Sequence, residues 1–99
     1  MGLSTHTFSV DGTLPPDPVI VQGSIGAVRT VIIYEDAQLG STDYDVYAPT
    51  ADATPVRRPA GAKTEFHAGD GKFFEPGAII GYVNAATAGS YTFAQEEHS

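Results

Sequence analysis

The chain has 99 residues, of which 41% are hydrophobic, and its 12 acidic and 5 basic side chains give a formal net charge of −7. This length suits one domain with one core. The negative charge opposes binding to nucleic acid or to an anionic membrane surface, because both carry dense negative charge. The absence of cysteine excludes disulfides and thiolate metal sites. The sequence contains no run of about 18 apolar residues, so it predicts no membrane-spanning helix.

The N-terminal segment predicts a strand. Within residues 3–10, His6, Phe8 and Val10 share one face and hydroxyl side chains take the other, as in a half-buried strand. The first residues lack the basic and apolar regions of a secretory signal peptide. We therefore expect a product that is not exported by that route.

A proline-rich segment at residues 14–18 follows this strand and contains Pro15, Pro16 and Pro18. Proline lacks a backbone donor and fixes φ, so we predict an extended arm here and not a strand inside a sheet. Residues 1–18 then form an N-terminal strand and arm. A stiff arm loses little conformational entropy on docking, which makes the three prolines candidate contacts to a neighbouring subunit.

The middle of the chain predicts two strands after a flexible turn at residues 23–26. Residues 27–34 are rich in β-branched side chains and are apolar on both faces, which is typical of a central strand. Residues 42–48 alternate, with Tyr44 and Val46 on one face and acidic side chains on the other. A polar loop separates the two strands.

A second weakly structured segment runs over residues 49–61. Its proline and glycine content argues against a helix. It holds Arg57 and Arg58, the only adjacent pair of basic side chains. We predict a second extended arm whose guanidinium groups donate to an acidic neighbour.

The C-terminal part predicts a series of short strands. The strand segments are residues 62–67, 73–74, 78–84 and 90–95. Phe66 should point inward. The connection Ala85–Gly89 fits a five-residue hairpin loop, so we expect the strands on either side of it to be neighbours. Residues 96–99 read as a charged, frayed tail.

These elements predict an all-β fold of six or seven short strands, because no segment carries the apolar stripe of a helix. The spacing of turn signals suits one small antiparallel β-sandwich or a partly open barrel, with proline-rich arms, over residues 1–99. We find no internal repeat in the sequence.

No pattern in the sequence predicts catalysis, and we expect no enzyme and no cofactor. His67 with Glu65 and Asp70 is a conceivable metal or acid–base site, but isolated surface side chains explain these residues as well. Three carboxylates could supply oxygen ligands to a cation: Asp43, Asp45 and Asp52. Their spacing lacks the glycine and the final glutamate of a calcium-binding loop.

Two segments near the C-terminus carry a family resemblance. Pro76–Val83 reads Pro-Gly-Ala-Ile-Ile-Gly-Tyr-Val, and Ala88–Phe93 reads Ala-Gly-Ser-Tyr-Thr-Phe. This order of glycine turn, apolar pair and aromatic strand resembles small capsid decoration (cement) proteins of tailed phages. The resemblance implies a non-enzymatic virion protein, often trimeric, that stabilises a capsid lattice through protein–protein contacts. We therefore expect protein partners and a homo-oligomer.

A different class of function stays open at this point. Small immunoglobulin-like or carbohydrate-binding β-sandwiches stack sugar rings on exposed aromatic side chains. The tyrosines that could build such a platform are Tyr34, Tyr44, Tyr47 and Tyr82. Exposure of these rings on one common face is what this alternative requires.

Overall fold

The computed structural model describes residues 3–12, 17–21, 28–35 and 42–99. These residues form eight strands and no helix. The strands are β1 (Leu3–Val10), β2 (Asp17–Ile20), β3 (Thr30–Glu35), β4 (Tyr44–Tyr47), β5 (Val56–Arg58), β6 (Thr64–His67), β7 (Ile79–Ala85) and β8 (Tyr91–His98). Pro15, Pro16 and the turn at 23–26 lie outside the described residues, as does most of the polar loop before residue 42.

The strands build two antiparallel sheets of four strands each. We call them sheet A, with the order β1-β8-β3-β6, and sheet B, with the order β2-β7-β4-β5. Both sheets have two edges, so the fold is a sandwich and not a closed barrel. The predicted all-β sandwich is confirmed. The short strand β5 lies in the segment that was predicted to be an extended arm.

One hydrophobic core fills the space between the sheets. Phe93 is fully buried at its centre, stacked on Phe8 of its own sheet at 5.6 Å between ring centroids and met edge-on by Tyr44 of sheet B at 5.2 Å. Such aromatic pairs add to the stabilisation from buried area. The other core residues are mainly β-branched: Val10, Val19, Val21, Val28, Val31, Ile33, Val46, Ile80 and Val83.

The strand faces follow the alternation in the sequence. In β3, Val31 and Ile33 are buried between partly exposed neighbours, and this strand lies inside sheet A as predicted. In β4, Tyr44 and Val46 point to the core. Phe66 of β6 packs against the core while its neighbours are exposed.

The predicted hairpin between β7 and β8 is wrong. β7 pairs with β2 and β4 in sheet B, whereas β8 pairs with β1 and β3 in sheet A. Each strand already has a partner on both sides, so the loop between them must cross from one sheet to the other. The loop packs on the turn after β1, where a Cβ added to Gly12 would lie 2.9 Å from the backbone oxygen of Thr87.

The frayed C-terminal tail is also wrong. β8 continues through Glu96 and Glu97 to His98, in register with β1 on one side and β3 on the other. The backbone N–H of Arg29 donates to the carbonyl of His98 at 2.9 Å. Glu97 is fully buried. Pairing on both sides holds this charged segment in the sheet.

The two proline-rich segments are not free arms where the structure describes them. Asp17 and Pro18 belong to β2, where Pro18 pairs with Tyr82 of β7. A proline is tolerated there because β2 is an edge strand of sheet B. The segment 49–61 contains β5, which forms the opposite edge of the same sheet.

Candidate interaction surface

Arg57 is exposed on β5 but is engaged within the chain. Its Nε donates to Oδ1 of Asp45 at 2.5 Å and its Nη2 donates to Oδ2 at 3.3 Å, across the β4–β5 pair. This hydrogen bond, followed by the carboxylate charge, raises the pKa of Arg57. The guanidinium group therefore stays charged and is oriented along the sheet surface.

Arg58 links the two sheets. Its Nε donates to Oγ1 of Thr64 at 3.2 Å and its Nη2 donates to the carbonyl of Lys63 at 3.0 Å. The Tyr44 hydroxyl joins the same junction, since it donates to the carbonyl of Ala62 at 2.6 Å and lies 2.7 Å from Thr64 Oγ1. Arg58 thus contributes to the architecture of the sandwich.

The structure does not bring the predicted interaction residues together. Pro18 lies on β2 and the two arginines lie on β5, at opposite edges of sheet B. Three strand spacings separate these edges, which is about 14 Å. Pro15 and Pro16 lie outside the described residues. The described members of the predicted set form two separate edges and not one docking arm.

Each of the three carboxylates considered for cation binding has another partner. Asp43 Oδ1 accepts from the backbone N–H of Ala60 at 3.0 Å, and Asp52 accepts from the Thr50 hydroxyl at 2.6 Å. Asp45 faces Arg57. Within the described ranges, no three histidine or acidic side chains are grouped to hold a metal ion.

Two histidine–glutamate pairs lie on the outer face of sheet A. Nε2 of His67 lies 3.0 Å from Glu65 on β6, and Nε2 of His98 lies 3.5 Å from Glu96 on β8. β3 separates the two pairs by two strand spacings, which is about 10 Å. Glu96 accepts a hydrogen bond from the Tyr34 hydroxyl at 2.9 Å, and this bond is the main cause that lowers the pKa of Glu96.

A polar cluster is buried between the sheets and was missed by sequence reasoning. Glu97 and Gln95 are both fully buried, and the Gln95 amide donates to Glu97 Oε2 at 3.2 Å. Nε2 of His6 on β1 lies 3.4 Å from the same carboxylate oxygen. The period-two continuation of Phe93 through residues 95 and 97 was the signal for this inward placement.

The four tyrosines of the carbohydrate alternative do not share a face. Tyr44 is fully buried in the core, and Tyr34 lies on sheet A beneath the ammonium group of Lys63. Tyr47 and Tyr82 are direct neighbours in the β4–β7 register and are half-buried. Only this pair remains as an aromatic platform.

Three of the four sheet edges carry features that hinder pairing with another strand. β2 contains Pro18 and a register shift, and β5 has only three residues, two of them arginine. β6 has four residues with exposed Glu65 and His67. Proline, bulges, charges and short length are the usual devices that protect an edge.

β1 is the exception among these edges. It is eight residues long, pairs with β8 in one unbroken register, and its sequence Leu-Ser-Thr-His-Thr-Phe-Ser-Val holds no proline, glycine, lysine, arginine or carboxylate. Thr5, Thr7 and Ser9 are exposed. Within the described part of the chain, no strand pairs with its other side. β1 is therefore an open template for a further strand.

The end of the sandwich at which β7 begins carries exposed apolar side chains. Phe73 lies in the loop that enters β7, and Ile79 is the first residue of that strand. Val56 of β5 is exposed as well, but through Val46 it lies level with Val83, four residues along β7 from Ile79. Their exposed fractions are 60%, 53% and 48% in the order Val56, Ile79 and Phe73. The guanidinium group of Arg29 lies over the Phe73 ring, 4.4 Å from its centroid.

No family model, curated protein or solved structure matches the chain. None of the described residues forms a helix that is long and apolar enough to cross a membrane. Function is therefore inferred from the geometry of the chain itself, and the open edge β1 is the feature that most resembles a binding surface.

Proposed function

We propose that the chain is a non-enzymatic structural protein that assembles through protein–protein contacts, most concretely a capsid decoration protein of a tailed-phage virion. The observation that carries the proposal is the contrast between β1 and the other three sheet edges. Natural sandwiches protect their edges. An edge left long, regular and uncharged beside three protected ones favours a role in assembly.

An open edge supplies both affinity and direction. Alternate residues of β1 point their backbone N–H and C=O groups away from β8, which gives about four residues with free donors and acceptors. A partner strand that adds there forms main-chain hydrogen bonds along the whole edge. Because β1 is paired with β8 over all eight residues, its backbone is already ordered, and binding costs little additional entropy there.

The exposed apolar end supplies a second kind of contact. Phe73 with Arg29 above its ring combines two residue types that are enriched among interface hot spots. Ile79, the first residue of the strand that follows the Phe73 loop, adds exposed apolar surface at this end. The net charge of −7 favours a partner surface that is basic or neutral. A protein lattice offers such surfaces in many equivalent copies.

Co-sedimentation with phage heads tests the decoration role. The purified chain is mixed with a panel of expanded tailed-phage heads from which any native decoration protein has been removed, and the pelleted fraction is quantified. We expect saturable binding at a fixed ratio to the major capsid subunit, and heads that resist heating better. If Phe73→Ala still folds but binds the heads more weakly, the result supports a contact through the apolar end. Pelleting no greater than that of an unrelated acidic protein, over the whole panel, would reject the role.

The paired rings of Tyr47 and Tyr82 favour one alternative, a carbohydrate-binding module. Two aromatic side chains side by side on one sheet face can stack on the apolar faces of sugar rings. A glycan array with the wild-type chain, Tyr47→Ala and Tyr82→Ala tests this reading, and Phe73→Ala is the control for an exposed aromatic elsewhere. If the wild-type chain and Phe73→Ala bind a glycan and the two tyrosine variants do not, carbohydrate binding replaces decoration as the proposed function. An array without signal would remove the alternative.

A further inference from the structure

We infer that the occupant of the open edge is a second copy of this chain, with β1 pairing antiparallel to β1 of that copy about a two-fold axis at Thr7. The inference rests on the proposed assembly function and names its partner. A closed two-fold dimer with one continuous eight-stranded sheet is the predicted product. Two-fold pairing uses the same surface on both copies, so one open edge per chain is sufficient.

The faces of the sheet restrict the register. His6, Phe8 and Val10 point toward the core side of sheet A, while Thr5 and Thr7 point outward. A continuous sheet must keep core-side residues opposite core-side residues, since a slip of one residue moves every side chain to the wrong face. The two-fold axis must therefore pass through a residue and not between two residues.

The axis at Thr7 gives the best of these registers. It pairs residues 4–10 of the two copies, places Thr5 opposite Ser9, and places Thr7 opposite its own equivalent. Hydroxyl pairs of this kind are favourable across antiparallel strands. On the core side, His6 lies opposite Phe8 twice. An axis at Phe8 would pair only residues 6–10 of the two strands. An axis at His6 would pair residues 3–9, but it would place Ser9 opposite Leu3 on the outward face.

Charge restricts where a second copy can dock, and β1 is a place where the repulsion between the copies is low. Two chains of net charge −7 repel each other in most orientations. β1 contains no carboxylate, so edge-to-edge approach keeps acidic side chains of the two copies out of direct contact across the interface. The remaining repulsion is screened over about 8 Å at physiological ionic strength. Added salt should therefore strengthen the dimer.

Solution mass with a matched pair of charge variants tests the inference. Thr7→Lys places two ammonium groups face to face across the axis, and like charges in contact oppose pairing strongly. Thr54→Lys adds the same charge at an exposed position between β4 and β5. By sedimentation equilibrium, we expect a wild-type dimer, an unchanged Thr54→Lys dimer, and a dissociation constant raised about tenfold or more by Thr7→Lys. Each variant folds if its melting temperature equals that of the wild type in samples dilute enough for both to be monomers.

Cysteine substitution reads the register directly, because the chain has no cysteine of its own. In the proposed dimer, Thr7→Cys brings two thiols onto neighbouring positions across the axis, with Cβ atoms about 5 Å apart. Thr5→Cys is the control, since its two thiols are offset by four residues, about 13 Å. Oxidation should link Thr7→Cys chains into covalent dimers and leave Thr5→Cys chains unlinked.

The outcomes separate this inference from the decoration role. A monomer at all concentrations, a trimer, a dimer indifferent to Thr7→Lys, or equal cross-linking of both cysteine variants overturns the two-fold pairing. A wild-type dimer with the expected variant behaviour that binds no phage head supports the pairing and rejects decoration. A monomer that binds heads stoichiometrically rejects the pairing and supports decoration, with a capsid strand as the occupant of β1.

Discussion

The Tyr44 hydroxyl should be one of the strongest single polar contacts in the fold, and Tyr44→Phe removes it with little change of shape. The ring is fully buried. Its hydroxyl donates to the carbonyl of Ala62 at 2.6 Å and lies 2.7 Å from Oγ1 of Thr64. These contacts connect β4 of sheet B to the start of β6 in sheet A.

The loss in the free energy of unfolding depends on which hydrogen-bonding groups Tyr44→Phe leaves without a partner. The carbonyl of Ala62 loses this short hydrogen bond, whereas the hydroxyl of Thr64 keeps Arg58 Nε at 3.2 Å. This bond is partly buried, and leaving the acceptor of a buried hydrogen bond unsatisfied costs about 1–3 kcal/mol. We expect a loss of about 2 kcal/mol in the free energy of unfolding. For a domain of this size, that loss lowers the melting temperature by roughly 8–15 °C.

Tyr47→Phe is the matched control, because Tyr47 lies on the opposite face of the same strand. Its effect should stay within about 0.5 kcal/mol. Urea unfolding of both variants and the wild type, with equal m-values, gives the comparison. A Tyr44→Phe variant as stable as the control would refute a stabilising role of this hydrogen bond at the junction between the sheets.

Three further predictions concern other parts of the sandwich. Gly81→Ala should destabilise the fold by about 1–3 kcal/mol, seen in thermal melts, because its Cβ would lie 2.9 Å from a backbone oxygen of β4; an unchanged melting temperature would contradict this packing. Arg57→Ala and Asp45→Ala, with the double variant, should show little coupling in urea unfolding because the Arg57 side chain is exposed to solvent; a strong coupling would mean that the pair is shielded from water. Tyr34→Phe should raise the pKa of Glu96 in a carbon-detected NMR titration. Because the folded-state pKa of Glu96 is lowered, its stabilising contribution is complete above the ordinary glutamate pKa and is lost as the pH falls through the lowered value; an unmoved pKa in Tyr34→Phe would refute the assigned cause.

Local patterns in the sequence were sufficient to predict the strands with one buried face. Alternation in β4 and in β6 gave the correct inward residues, and the apolar run of β3 correctly placed that strand inside a sheet. These predictions hold because side chains in a strand alternate between the two faces whatever the partner strand is. The class of fold follows from the same patterns.

Strand partners could not be read from local patterns. The loop between β7 and β8 has the length and composition of a hairpin loop, but both flanking strands are taken up by other partners in different sheets. Glu97 was predicted to lie in a solvated tail because it is charged. Its carboxylate is instead buried beside His6 and Gln95. β5 was missed because its three residues have no buried face.

The candidate site was only partly accessible from sequence for the same reason. The uncharged character of residues 3–10 is visible in the sequence, yet its meaning depends on β1 being an edge, which is a property of the whole sheet order. Arg57 and Arg58 appeared as free donors because their partners, Asp45 and Thr64, come from other strands.

Amide hydrogen exchange along β1, measured at two protein concentrations, tests the open edge most directly. In a dilute monomer, only alternate amides of Leu3–Val10 should be protected, because the others point away from β8. At concentrations that form the dimer, we expect the remaining amides of residues 4–10 also to become protected while those of β2, β5 and β6 do not change. Outward-facing β1 amides that exchange rapidly at every concentration, or new protection that appears on another edge, would contradict it.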